Sequence, residues 1–150
     1  MSDLNPSQIS KLRASTPVTE NNAEEFLSLA EDITSQQNKA VIKDILLLSA
    51  EPCDLEGVSD TLANLLEVFP ADVYVSEMLN VVEEIDDKSH LRSEREIAKL
   101  LWSQSDLEVF KRHVRIADKN TKNRIQNIIN RIKVDVDGLS KQCEELLDVL

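Results

Sequence analysis

The segment from Lys133 to Glu144 imitates part of a calcium-binding loop. Asp135, Asp137, Gly138 and Glu144 fall at positions 3, 5, 6 and 12 of such a loop, which are positions of ligands and of the sharp turn. Position 1 is Lys133, a cation where the ion requires an oxygen ligand. We therefore predict no metal site here, and we expect Asp137 to cap the helix that follows.

The histidines and cysteines of the chain have no sequence neighbours that indicate a reactive or metal-binding site. His90 and His113 lack an HExxH pattern and a second histidine at metal-ligand spacing. Cys53 and Cys143 form no CxxC pair, so we expect buried or half-buried free thiols in a reducing cytosol. These residues predict neither a metal nor a cofactor.

Four carboxylates lie close together at Glu83, Glu84, Asp86 and Asp87. A pair of them could serve as general acid and base, but only in a pocket that shifts their pKa values apart. At the C-terminal end of a helix, where the helix dipole disfavours negative charge, they indicate a surface patch instead. No pattern marks a reaction, so we expect a protein that is not an enzyme. An enzyme with an unmarked site stays an alternative.

Basic residues concentrate between residues 111 and 133, where eight lysines and arginines accompany one acid. No aromatic residue is interleaved with them after Phe110, and the strong acidity of the rest of the chain repels phosphates. We therefore expect no nucleic-acid partner from this cluster, whose members are Arg112, Arg115, Lys119, Lys122 and Arg124.

Charge is distributed unevenly along the chain. Residues 1–90 hold eighteen acids and five bases, whereas residues 91–150 hold ten acids and twelve bases. Such a field steers basic partners toward the acidic part, although acidic surfaces also serve solubility alone. No apolar run approaches the ~20 residues that cross a bilayer, and no secretory signal is present. We expect a soluble, cytoplasmic protein without a membrane partner.

Composition and periodicity predict an all-α fold. The chain has 150 residues, only two glycines and few aromatic residues, which suits one helical domain with a real core. Apolar spacing predicts about eight short helices in antiparallel pairs over residues 21–150, after a polar N-terminal arm at residues 1–20. A HEAT-like stack and an irregular helical bundle both fit this pattern.

Particular segments predict where the helices begin and which of them is central. Capping boxes predict helix starts at Asn22 with Glu25, at Ser93 with Glu96, and at Ser105 with Glu108. Residues 39–50 are apolar on nearly every side, and a helix of this kind is surrounded by others. We expect it to form the centre of the core.

The acidic residues concentrate in a predicted helical hairpin at residues 51–90, which holds eleven carboxylates and one lysine. An apolar stripe runs from Leu55 to Phe69, and Pro70 suits the first position of a second helix. We predict a partner-binding surface of the acids off this stripe, with Tyr74 as an anchor; an ordinary solvated face is the alternative. The surface comprises Glu56, Asp60, Glu67, Asp72, Tyr74, Glu77, Glu84 and Asp87.

The segments LEGVSDTLANLLEVFPADVYVSEMLNVVEEID and LLWSQSDLEVFKRHVRIADKN resemble the helical immunity proteins of bacterial toxin–immunity systems, including those of contact-dependent growth inhibition. The resemblance covers residues 38–132 and depends on helix layout, acidity and Trp102 before a capped helix. It implies a stoichiometric inhibitor that binds a cognate toxin domain, often a basic nuclease, and blocks its active site or substrate path. A helical-repeat scaffold or adaptor that binds a protein or peptide is the alternative. The oligomeric state stays open.

Overall fold

The computed structural model describes residues 6–14, 18–51 and 57–150, and in these ranges the chain is all-α, which confirms the predicted fold class. The described residues contain no strand. They form nine α-helices and one 3₁₀ helix at Leu65–Val68: α1 Pro6–Ala14, α2 Ala23–Ser35, α3 Ala40–Ser49, α4 Val58–Asn64, α5 Ala71–Lys88, α6 His90–Trp102, α7 Gln104–Arg115, α8 Lys119–Asp135 and α9 Ser140–Leu147.

The chain divides into two compact units, Met1–Met78 and Leu79–Leu150, and the division falls within α5. In the first unit α1 contacts α2, and Leu12 of α1 is fully buried. The polar arm at residues 1–20 and the single domain at residues 21–150 stay predictions.

The first unit is built around α2. This helix contacts α1, α3, α4 and the 3₁₀ helix, and it buries Phe26, Ala30 and Ile33 at helical spacing. Burial of each large apolar side chain contributes roughly 1.5–3 kcal/mol. The sequence favoured α3 as the centre, but α3 leaves Leu47 and Leu48 half-exposed. An apolar helix is therefore not always the most surrounded one.

The apolar stripe that predicts one helix up to Phe69 is divided between α4 and the 3₁₀ helix. Pro70 disfavours helical geometry at the residue before it, and Phe69 is extended, with ψ of 145°. The tighter 3₁₀ winding changes which side chains face inward. Leu66 is buried, whereas Val68 is 47% exposed.

The longest described helix, α5, has 18 residues and begins at Ala71, directly after Pro70, which the sequence placed at the first position of the helix. Apolar spacing predicts a stripe at Val75, Met78, Leu79, Val82 and Ile85. All of these are buried except Leu79, which is half-exposed. Neither α5 nor any other helix in the described ranges has the length and apolar character that a membrane span needs.

The second unit packs the remaining helices around isoleucine and leucine side chains. Helix α6 contacts α7 and α8, and α9 contacts α8. Apolar side chains at helical spacing in these helices are buried at Ile97, Leu100, Leu101, Leu107, Phe110, Val114, Ile125, Ile128, Ile129, Ile132, Leu139, Cys143 and Leu146. Three further positions that the same spacing predicts for the core, Ala117, Leu147 and Leu150, are half-exposed.

Two of the predicted capping boxes are wrong. Helix α6 begins at His90, because Ser89 Oγ accepts a hydrogen bond from the backbone N–H of Arg92 at 3.1 Å. Ser93 and Glu96 lie inside that helix and are buried. In α7 the capping residue is Ser103 instead of Ser105, since its Oγ accepts from the N–H of Asp106 at 3.4 Å.

The start of α2 at Ala23 is as predicted, but its capping bond is not. Asn22 makes no side-chain capping bond to α2; its Oδ1 accepts from the N–H of Thr19 at 2.6 Å. By contrast, Asp118 caps α8 by accepting from the N–H of Thr121 at 2.7 Å. This bond lowers the pKa of Asp118 below its usual value.

Candidate partner-binding surface

Five residues of the predicted partner-binding surface belong to the first unit. Glu67 and Asp72 are exposed, whereas Asp60, Tyr74 and Glu77 are half-buried. All five lie outside the buried stripes of α4, the 3₁₀ helix and α5. Tyr74 therefore offers a partner less contact area than a fully exposed anchor would. The acids occupy positions that a partner can reach.

Two further residues of that surface, Glu84 and Asp87, belong to the second unit, and both are exposed. Asp87 Oδ1 accepts a hydrogen bond of 2.7 Å from Nη1 of Arg124. A basic side chain of α8 thus offsets part of the charge of Asp87. The remaining predicted residue, Glu56, lies outside the described residues.

Asp86 is not part of the surface patch that its sequence position indicated, because its side chain is only 1% exposed. Four side chains approach its carboxylate. Ser93 Oγ donates to Oδ1 at 2.5 Å and Arg131 Nη2 donates to the same oxygen. Arg124 Nη1 donates to Oδ2 at 3.1 Å, and His90 Nδ1 lies 3.1 Å from Oδ1.

These contacts decide the ionisation of Asp86. Burial by itself raises the pKa of the carboxyl group. The hydrogen bonds from Ser93, His90, Arg124 and Arg131 oppose burial and together hold the pKa below its usual value. Asp86 is therefore a buried carboxylate that stays charged, and it connects α5 to α6 and α8.

A serine, a histidine and an aspartate occur together in this cluster, but not in the order that nucleophilic catalysis requires. In a catalytic triad the histidine lies between the nucleophile and the carboxylate. Here Ser93 donates directly to Asp86, and His90 approaches the same oxygen. The arrangement therefore supports a clamp between helices and does not supply an activated hydroxyl.

One sequence signal could have identified Asp86. It follows Val82 by four residues and Ile85 by one, so it lies beside the buried stripe of α5. His90 and Ser93 follow at intervals of four and seven residues. The two arginines are 38 and 45 residues away in the chain, and their approach is a property of the tertiary structure.

A second buried ion pair lies within α6. Arg92 Nη1 is 3.2 Å from Oε1 of Glu96, and the two side chains are 4% and 3% exposed. Lys99 Nζ lies 3.1 Å from the same oxygen. The carboxylate of Glu96 thus has two basic neighbours on its own helix, which offset the cost of burying its charge.

In the segment that imitates a calcium loop, residues at ligand positions are engaged in helix or ion-pair contacts within the protein. Helix α8 continues through Asp135, and Lys133 Nζ lies 3.2 Å from Oε1 of Glu144. Asp137 does not cap α9, because the capping position is Leu139 and no side-chain bond is made there. Among the residues that the structure describes, no group of three or more potential metal ligands is found.

Cys143 is a buried free thiol, as predicted, and burial raises its pKa. A thiol with a raised pKa is a poor nucleophile at neutral pH. Cys53 lies outside the described residues. Cys143 therefore has the character of a small core residue.

The second unit presents several large apolar side chains to solvent. Ile116 and Val134 are each 82% exposed, and Trp102 is 60% exposed. The ring of Trp102 covers Gly138, where the Cβ atom of any larger residue would lie only 3.2 Å from the ring. Trp102 is thus largely exposed, while the edge of its ring lies close to Gly138.

Comparison with known proteins gives no relative for this chain. No protein-family model, no curated protein and no solved structure matches it.

Proposed function

We propose that this protein is an immunity protein that binds a cognate toxin domain and neutralises it. The toxin is a basic nuclease, and binding occludes its active site or its substrate path. The observation that carries the proposal is the accessible position of the acids at Asp60, Glu67 and Asp72 in a chain of net charge −11.

The physical basis of the mechanism is charge complementarity. A negative surface attracts a basic domain and raises the association rate above the ~10⁶ M⁻¹ s⁻¹ of neutral pairs at low salt. The same surface repels nucleic acid, so the inhibitor does not compete for the substrate of the toxin. Inhibition is then steric: the bound protein covers the positive surface that a nuclease presents to phosphates.

Co-expression with the product of the neighbouring gene, which we expect to encode the toxin domain, tests the proposal. We expect a stoichiometric complex on co-purification and survival of cells that express the toxin. Absence of both the complex and the rescue would overturn the proposed function. Because genes of a toxin and its immunity protein must be inherited together, the neighbouring gene is the appropriate partner to test.

Charge reversal tests which surface binds. We expect the triple variant Asp60→Lys, Glu67→Lys, Asp72→Lys to lose affinity by roughly 100-fold or more, since like charges across an interface cost several kcal/mol. The matched control is Glu24→Lys, Glu25→Lys, Asp32→Lys, which reverses three exposed acids of α2 in the same unit. Unchanged affinity of the first variant would remove this surface from the proposal.

A helical scaffold or adaptor is the second candidate, and the exposed Trp102, Ile116 and Val134 favour it. Recognition through such side chains is largely apolar, and added salt affects it little. The immunity protein, by contrast, should bind more weakly as salt rises from about 50 mM to about 500 mM, because the screening length shortens. Salt dependence of the measured affinity therefore separates the two functions.

A further inference from the structure

A groove in the first unit lies between the C-terminal end of α2 and the 3₁₀ helix. Its volume is about 410 Å³. Glu31, Thr34 and Ser35 line it from α2, Asn64 lines it from the end of α4, and the 3₁₀ helix contributes Leu65, Glu67 and Val68. Because the 3₁₀ winding leaves Val68 outside the core, its side chain borders the groove. The C-terminal end of α2, at Ser35, borders the groove on the other side.

The lining combines negative charge with an apolar wall. Glu31 and Glu67 are exposed and belong to different elements. Leu65 is half-buried and Val68 is 47% exposed. None of the described residues that line the groove is a lysine or an arginine. A cationic group that entered the groove would therefore meet no like charge in this lining.

Apart from Asn64, whose amide can donate as well as accept, the polar groups of the lining are mainly acceptors for a ligand. Thr34 Oγ1 lies 3.0 Å from the carbonyl oxygens of Ala30 and Glu31, and Ser35 Oγ donates to the carbonyl of Asp32 at 2.7 Å. Both hydroxyl hydrogens are thus directed at the backbone of α2. The C-terminal end of α2 has no basic residue in its last turn, and the helix dipole makes this end negative.

We propose that the groove takes an arginine side chain of the basic partner. Its guanidinium group lies between the carboxylates of Glu31 and Glu67, and its aliphatic part contacts Leu65 and Val68. Arginine fits because it has five N–H donors, a permanent charge and an apolar stem. The inference rests on the proposed function, for which it names the anchor that the toxin domain contributes.

The experiment is a titration of the ¹⁵N-labelled full chain with acetyl-Gly-Arg-Gly-amide, followed by NMR. We expect saturable shifts of the backbone amides of Ser35 and Val68, at dissociation constants of roughly 1 mM, an affinity expected of a single anchored side chain. The peptide with leucine in place of arginine should cause no such shifts. Equal binding of the leucine or lysine peptide would overturn the assignment to arginine.

The variant Glu31→Gln, Glu67→Gln should weaken peptide binding at least about tenfold, an easily measured change in dissociation constant. The matched control Glu24→Gln, Glu25→Gln removes two exposed charges from α2 away from the groove. Thermal melting shows whether either variant still folds. If both variants bind the peptide equally, the binding depends on the net charge of the protein, and the peptide does not occupy the groove.

Affinity for the toxin domain separates failure of this inference from failure of the proposed function. If the Glu31→Gln, Glu67→Gln variant still binds the toxin as tightly as the original protein, the groove is not the anchor, while the immunity function stands. If the peptide binds in the groove but no toxin domain binds the full chain, the groove is a cation site and the proposed function fails.

Discussion

The hydroxyl group of Ser93 donates a hydrogen bond of 2.5 Å to Oδ1 of Asp86 and so joins α6 to α5 in the second unit. Both side chains are almost completely buried. Burial of an ionised group costs free energy unless the group is paired and hydrogen-bonded. The bond from Ser93 is one of the four contacts that together offset this cost for Asp86. Loss of any one of these contacts leaves the charge of Asp86 less compensated.

Replacement of Ser93 by alanine should lower the free energy of unfolding by about 1–3 kcal/mol, because a buried carboxylate loses a donor. Urea denaturation measures the change. The control is Ser76→Ala on an exposed position of α5, which should stay within about 0.5 kcal/mol of the original protein. If both variants lost a similar free energy of unfolding, the bond from Ser93 to Asp86 would contribute no more to stability than an exposed serine does.

Replacement of Asp86 by asparagine should make stability less dependent on acid pH. The pKa of Asp86 is lowered in the folded protein, so its contribution is present above the pKa of the unfolded chain and is lost as pH falls through the folded-state pKa. The stability advantage over Asp86→Asn should therefore be constant near neutral pH and decrease below about pH 4. Denaturation at a series of pH values checks this. An advantage that grew on acidification would contradict the lowered pKa.

The capping residue of α7 can be identified by paired substitutions. Ser103→Ala should cost about 1 kcal/mol, because it leaves the N–H of Asp106 without its capping acceptor. Ser105→Ala should change the free energy of unfolding by no more than about 0.5 kcal/mol, since Ser105 is an exposed residue inside the helix. A larger loss at Ser105 would restore the capping box that the sequence indicated.

Replacement of Gly138 by alanine should destabilise the second unit by about 1–2 kcal/mol and disturb Trp102. The φ angle of Gly138 is +88°, which side chains disfavour. The added Cβ would also lie 3.2 Å from the Trp102 ring. Because the chain has one tryptophan, its fluorescence reports this contact directly in addition to the unfolding free energy.

Gly57→Ala provides the comparison for that variant. Gly57 has a similar φ of +83°, but a Cβ there would meet nothing within 4 Å. It should therefore show the backbone cost without a change in the fluorescence of Trp102. Identical fluorescence in the Gly138 variant and the original protein would mean that the ring does not depend on Gly138.

The sequence predicted the helices well because their signals are local. The buried positions of α5, Val75, Met78, Val82 and Ile85, recur at the helical period, and Pro70 marks the start of that helix by its own geometry. The all-α fold follows from such repeats. The accessible positions of Glu67, Asp72, Glu84 and Asp87 also follow, since they lie off these stripes.

Capping residues were harder to predict for α6 and α7, because two serines compete near the start of each of these helices. Ser89 and Ser103 precede the serines that the capping-box pattern selected. The pattern also matched Ser93 and Glu96, which are buried inside α6. There Ser93 donates to Asp86, and Glu96 pairs with Arg92. A short motif does not distinguish a capping serine from one that serves a buried carboxylate on another helix.

The sequence by itself therefore determined the helical fold and the apolar stripes, because each depends on residues within one or two helical turns. It also determined the acidic character of the chain, which follows from composition alone. Only the tertiary structure decided that Asp86 is buried, because its partners Arg124 and Arg131 lie 38 and 45 residues away. The same holds for the groove between α2 and the 3₁₀ helix, which brings Glu31 to the same cavity as Glu67. Contacts between distant segments depend on how helices pack, and a periodic pattern contains no information about the neighbour against which its stripe is buried.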